Sequence, residues 1–385
     1  MKPYFPWAAA LVLTAGLFAR GQNYDQINLV ANRSGIAHET DPHLVNPWGL
    51  ARTTGSDWWV ADAGTGLSTI YRGDGLINSL VVAVPKANPG AAASTPTGMV
   101  SDLKFLASAG NPASFLFCTA EGSIAGWNPE TGLPPGGSPP SKNAVTLVKT
   151  TDGSSYLGLT SATIGAHFYL YAANFSKGRI DVYSTAYKRV TLPKVPNLGD
   201  FNPGTTVPFT DALLPKGYTP FNVQAIGNDL VVTYALSNGA AGPGKGFVDI
   251  YSSAGELLMR LEHGAWMNAP WGVALAPTDF GTFSHHLLIG QFGEGSSTAG
   301  SGTIASFDLV TGKFTGLLKD ANGKPITIDG LWALGVAGGV SSGSVDAFSA
   351  PAAELYFTAG PNHGKDGLFG YLTAVSLELI EGDDQ

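Results

Sequence analysis

Charge and cysteine are both scarce in this chain of 385 residues, and long apolar runs are scarcer still. Asp, Glu, Lys and Arg make up 13 % of it, the formal net charge is −8, and the basic residues nowhere gather into a cluster. Binding to nucleic acid or to an anionic membrane needs a basic stripe, so both partners are excluded. The one cysteine, Cys118, has no second thiol to pair with, which removes disulfide stapling from the list of ways to hold the fold. It lies in the apolar string Phe115-Leu116-Phe117-Cys118, where a buried, inert thiol is expected. No apolar pattern of helical period continues past the N-terminus, so helices do not build the core.

Only residues 7–18 form a long apolar run, behind Lys2 and ahead of the small-x-small string Ala19-Arg20-Gly21. The run is too short to cross a bilayer comfortably and reads as a signal peptide over residues 1–21, cleaved before Gln22. The expectation is an exported protein, periplasmic or secreted, that does not insert in the membrane once cleaved. Residues 378–385 are acidic and are expected to fray.

Glycine and proline are plentiful, at 51 and 25 residues, and they punctuate short runs of Val, Ile, Phe and Tyr. Within this background Asn46-Pro47-Trp48-Gly49-Leu50-Ala51 returns as Ala269-Pro270-Trp271-Gly272-Val273-Ala274. Weaker copies centre on Gly98, Gly158, Asn222 and Ala333, which makes six units. Their spacing runs from 49 residues (Trp48 to Thr97) to 64 (Leu157 to Phe221), too long for most helical repeats and suited to a four-stranded blade with variable loops. The reading is all-β: a six-bladed β-propeller over residues 22–377, monomeric, with neighbouring blades sharing the core. Residues 26–31 alternate in polarity but have no partner strand in their own unit. They are expected to close the ring by pairing near Leu368 to Leu372.

Several strings carry a family resemblance: residues 44–51, 64–71, 122–128, 172–175, 246–251, 268–277 and 329–334. They resemble an uncharacterised family of bacterial exported proteins, some of which carry a C-terminal PEP-CTERM sorting signal. That resemblance implies a six-bladed propeller related to the NHL-repeat and gluconolactonase/phosphotriesterase-like propellers. It brings no catalytic residues with it, and no Pro-Glu-Pro, spanning helix and basic tail follow Leu372.

Because strands in a blade alternate in direction, residues ahead of each inner strand share a face with the loops that join second to third strands. On that face the sequence places Asn46, Asn222, Asn268 and Asp329 from the first set, and Asp62, Glu121, Asn174, Gln291, Glu294 and His363 from the second. Carboxylate and amide oxygens suit Ca²⁺, so Asn46, Asp62, Asn174, Asn222, Asn268 and Asp329 are candidate metal ligands. In lactonase-type propellers such a metal polarises an ester or lactone carbonyl. The bland alternative is that these side chains cap turns. Trp48, Trp271 and Trp332, together with Glu121 and His363, are candidate ligand contacts, the indoles either stacking on a sugar or apolar ligand or packing blade against blade.

Other motifs are weaker. His38 and His43 have no third ligand at zinc spacing, no Gly-x-Ser-x-Gly elbow precedes a helix, and the glycine-rich loops lack the Gly-Lys-Ser/Thr of a phosphate loop. Two functions therefore stay open: a non-catalytic propeller binding a small molecule, saccharide or envelope protein through its glycine-rich face, and a calcium-dependent hydrolase of lactonase or phosphotriesterase type. A lyase acting on acidic sugars is a third. The fold alone does not choose among them.

Overall fold

In a computed structural model, residues 22–53, 55–196, 204–293, 301–336 and 353–375 are described, and they form six largely antiparallel sheets in a ring, with a separate two-stranded hairpin of Leu106–Ser108 and Asn111–Pro112. The signal-peptide and acidic-tail readings, and Glu294, fall outside these residues. The inner strands are Pro47–Ala51, Pro96–Val100, Tyr156–Ile164, Tyr218–Ile226, Pro270–Leu275 and Leu331–Val336, one for each repeat centre. Blades one to five then add three strands each in sequence order; in blade one these are Trp58–Asp62, Leu67–Tyr71 and the two-residue Val82–Ala83. The fold is an all-β, six-bladed propeller.

Blade six is assembled from both ends of the chain. Its Leu331–Val336, Glu354–Ala359 and Leu368–Ala374 are completed by Tyr24–Ala31, which pairs antiparallel with the last strand from Ala31↔Leu368 to Tyr24↔Ala374. Ring closure lies where the orphan strand of the sequence implied. Closing the ring this way hides two sheet edges that would otherwise recruit other chains.

The repeated motif has a physical reason. In all six blades the register between inner and second strand shifts at the motif, for example between Pro47 and Leu50 and between Pro270 and Gly272. These bulges turn the backbone where the inner strands crowd around the axis. The central glycine admits the next blade: a Cβ on Gly49 would run into the Thr97 carbonyl, one on Gly98 into Leu159, and one on Gly272 into the Trp332 carbonyl. Any side chain there would push two blades apart.

Middle strands are covered on both faces. Trp58 and Val60 pack toward blade six with Tyr356 and Phe369, whereas Trp59 and Ala61 pack toward blade two, with the Trp59 ring 4.2 Å from Phe115 and 4.5 Å from Trp127. That double burial explains why strings such as residues 58–61 read as unbroken apolar runs rather than alternating ones. The chain leaving the fourth strand of blade three, Arg189–Val190, bridges Val195 to Thr206 and enters the blade-four inner strand at Tyr218. It is fastened at Asp211, which forms an ion pair with Arg260 of blade four.

Candidate functional site

The axial channel ends, on the side where the inner strands begin, in a cluster of aromatic rings. Trp48 and Trp332 are stacked, with centroids 3.5 Å apart and planes at 20°, and Phe292 continues the stack on Trp332 at 3.8 Å and 15°. Trp271 meets Trp48 and Trp332 edge-on at 5.9 and 5.8 Å, and Phe221 lies 6.0 Å from Trp332. Offset and edge-on pairs of this kind add to the burial of the rings. Trp271 and Trp332 are buried, while Trp48, Phe175 and Phe292 remain partly exposed at the mouth. The indoles thus serve first as an axial plug, and a subset of rings also faces outward.

The indole donors differ. Trp271 Nε1–H donates to the Leu157 carbonyl (3.2 Å); blades five and three are not neighbours, so this bond spans the channel. Trp332 Nε1–H donates to Asn46 Oδ1 (3.1 Å). Trp48 Nε1–H is buried with no acceptor. Both strong copies of the motif put a left-handed residue ahead of the proline, Asn46 (φ 47°) and Ala269 (φ 47°). That turn aims each carbonyl at the end of its own second strand, where Ala63 N–H and Phe292 N–H donate to it at 3.1 Å.

Beside the plug runs a strained segment. Asn362 (φ 55°, ψ 46°) and His363 (φ 56°, ψ 43°) are consecutive left-handed residues within Pro361–Gly364. Each costs about 1–2 kcal/mol relative to ordinary backbone. The turn is held by Asp329, whose Oδ2 accepts the Asn362 N–H (3.0 Å), and by Gly364 N–H donating to the Gly360 carbonyl (3.0 Å). A Cβ on Gly364 or Gly360 would strike Asn46, so the turn lies against the residue that receives the Trp332 indole. Asn46, Trp48, Trp332, Asp329 and His363 therefore belong to one constellation, although 317 residues separate Asn46 from His363 (363 − 46).

The remaining candidates lie elsewhere. Asn222 occupies the glycine position of its motif and not the mouth: its Nδ2 donates to the Trp271 carbonyl (2.8 Å), and its Oδ1 accepts the Val223 N–H (2.8 Å). Asn268 is fully buried and its Oδ1 accepts the Gly242 N–H (2.7 Å), bracing the blade-four loop. Glu121 Oε2 accepts the Thr95 N–H (3.3 Å) at a turn.

Asp62 and Asn174 end second strands, and their side chains bond within their own blades or the loop leading into them. Asp62 Oδ2 accepts the Thr69 N–H (3.0 Å) and hydroxyl (2.9 Å), and burial holds its carboxyl well above the usual range. Asn174 Nδ2 donates to Asp181 (2.7 Å) and Ser154 (2.9 Å). Asn46, Asn222, Asn268, Asp62, Asn174 and Asp329 each place a side-chain oxygen on a protein donor, and the six are divided among several blades. Among the described residues no three His, Cys, Asp or Glu side chains gather to hold a metal.

The opposite end of the channel, unmarked in the sequence reading, is open. A funnel of about 60 Å³ is lined by apolar residues together with Arg52, Ser101 and Gln224, and it narrows to about 10 Å³ beneath the plug. Room for only a few water molecules remains there. These polar side chains come two or three residues beyond the motif centres, and continuing the alternation of the inner strands would have found them. Cys118 is buried as expected, with its thiol pushed up to about 12 by burial.

No family model matches the chain. It is similar to the uncharacterized proteins R648 and L690 of Acanthamoeba polyphaga mimivirus: 29 % identical over 357 residues, covering 89 % of this chain and 78 % of that protein, and 28 % identical over 360 residues, covering 89 % and 84 %. The bacterial exported family suggested by the sequence strings finds no support in these relatives. Among solved structures it is similar to virginiamycin B lyase from Staphylococcus aureus (12 % identity, 92 % and 100 % of the two chains covered, TM-score 0.46). It is also similar to the WD40 β-propeller domain of Doa1 (10 %, 90 % and 96 %, TM-score 0.43). No helix of the described residues is long and apolar enough to cross a membrane.

Proposed function

We propose that this protein is an exported, non-catalytic binding propeller whose ligand docks over the aromatic mouth on the loop-rich face. The observation that carries the reading is the combination found there: partly exposed rings of Trp48, Phe175 and Phe292 beside the unmatched Trp48 indole N–H and the strained turn. A buried donor without an acceptor and a costly backbone are features that folding alone does not reward. Against a hydrolase stands the lack, among the described residues, of an assembled acid/base pair or oxygen cage at the mouth, where Asp329 and Glu121 each accept a backbone N–H.

The test is titration of the indole fluorescence of the wild type with polysaccharide, peptide and lipid fractions from its native compartment, against Trp48→Phe. One fraction is expected to quench the wild type and to quench the variant less. If no fraction does so, the binding reading fails. Stoichiometric calcium binding that raises the melting temperature would restore the hydrolase reading.

A further inference from the structure

We propose that Pro361–Gly364 is a ligand clamp and that it closes on a neutral saccharide at the aromatic mouth; this rests on the binding reading above. A pyranose offers an apolar face of C–H groups bordered by hydroxyls. The mouth offers the complement: the partly exposed Trp48, Phe175 and Phe292 rings for the face, and uncharged hydrogen-bonding groups for the border. Asn46 uses only its Oδ1 within the protein, which leaves its Nδ2 amide as a donor at the partly exposed edge. The exposed His363 imidazole stands in the turn that abuts Asn46.

Three charged side chains near the mouth hold backbone groups. Asp329 holds the Asn362 N–H, Glu121 holds the Thr95 N–H, and Lys245 Nζ donates to the Ala241 carbonyl (2.9 Å). The outward apolar surface is confined to a few rings, less than a stable protein interface requires. Two consecutive non-glycine residues in left-handed backbone fix a side chain in a place where glycine would be cheaper, and strain of this kind collects at ligand clamps. Asp329 is then a positioning residue, acting on the ligand through the turn.

Chitohexaose, cellohexaose and maltohexaose, each titrated by calorimetry into the full protein, test the proposal. At least one is expected to bind wild type. His363→Gly is expected to keep or raise the melting temperature, because glycine accepts the left-handed backbone, while weakening that sugar about tenfold. Asp329→Ala should weaken it several-fold, and Asp329→Asn, which retains an acceptor oxygen for the Asn362 N–H, should restore it. If none of the three sugars binds, the saccharide class is overturned, and the peptide and lipid fractions then decide the binding reading separately. A sugar that binds equally well to His363→Gly overturns the clamp, as does a His363→Gly variant that melts far below wild type.

Discussion

The two ends of the axial channel are built from the same six strands and differ in nearly everything else. Where the strands begin, Trp48, Phe221, Trp271 and Trp332 fill the axis; where they leave, a narrow funnel remains among smaller side chains with Arg52, Ser101 and Gln224. The difference follows from strand direction. Side chains just ahead of the central glycine all reach the axis on one side, and in four of the six repeats one of them is aromatic. Bulk at that position closes one mouth and leaves the other open. The closed end supplies stability and a platform, whereas the open end supplies little of either.

Truncating the plug should break this contrast most severely. Trp271→Ala removes a buried ring and the bond that spans the channel, and it is expected to cost about 3–5 kcal/mol, read as a fall in the denaturant midpoint. A loss below about 1 kcal/mol would mean that the plug is not a structural centre.

Between the two ends, Gly272→Ala drives a methyl group into the Trp332 carbonyl of the next blade and should cost about 1–3 kcal/mol. An unchanged midpoint would show that the blades can separate freely at the motif.

A pH series sharpens the comparison, because neither end should account for the acidic limb. At the rim of blade four, burial raises the Asp249 carboxyl from its ordinary 3.8 to about 6, against the Arg260 guanidinium whose Nε–H donates to it (2.8 Å). The folded protein then binds more protons than the unfolded chain between those values. The contribution of this group to stability is full below about pH 4 and is lost as the pH rises through 6. The melting temperature of Asp249→Asn minus that of wild type is expected to increase from pH 4 to pH 7. A constant difference would place the titration elsewhere.

The smallest effect belongs to the open end. Gln224→Leu fills part of the funnel with an apolar group and should change stability by less than about 1 kcal/mol, as a substitution at a channel-lining position that breaks no hydrogen bond among the described residues. A loss comparable to that of Trp271→Ala would erase the distinction between the ends.

The residues that were legible in advance are those whose role repeats. Trp48, Trp271 and Trp332 announced themselves through a shared string, and so did the closing strand through its lack of a local partner. Asp62 and Asn174 were legible as strand-end polar residues, but their partners Thr69 and Asp181 lie on the adjacent third strand, a pairing that only the sheet register shows. Asn222 stands in a glycine position of its motif, and its bonds to the Trp271 carbonyl and the Val223 N–H could not be read from the sequence alone. His363 drew notice as a loop histidine, but nothing in Pro361-Asn362-His363-Gly364 announces a left-handed turn capped from Asp329, 34 residues away (363 − 329).

By itself the sequence determined the number of blades, the position of each inner strand and the closure by the N-terminal strand, because those depend on local periodicity and on glycine where backbones must approach. Only the tertiary structure decided that the indoles stack into a plug, that the expected oxygen ligands disperse into turns and blade interfaces, and that Asn46, Asp329 and His363 meet. Such convergence depends on how blades rotate about a common axis, and that rotation is fixed by packing between units that the chain does not place side by side.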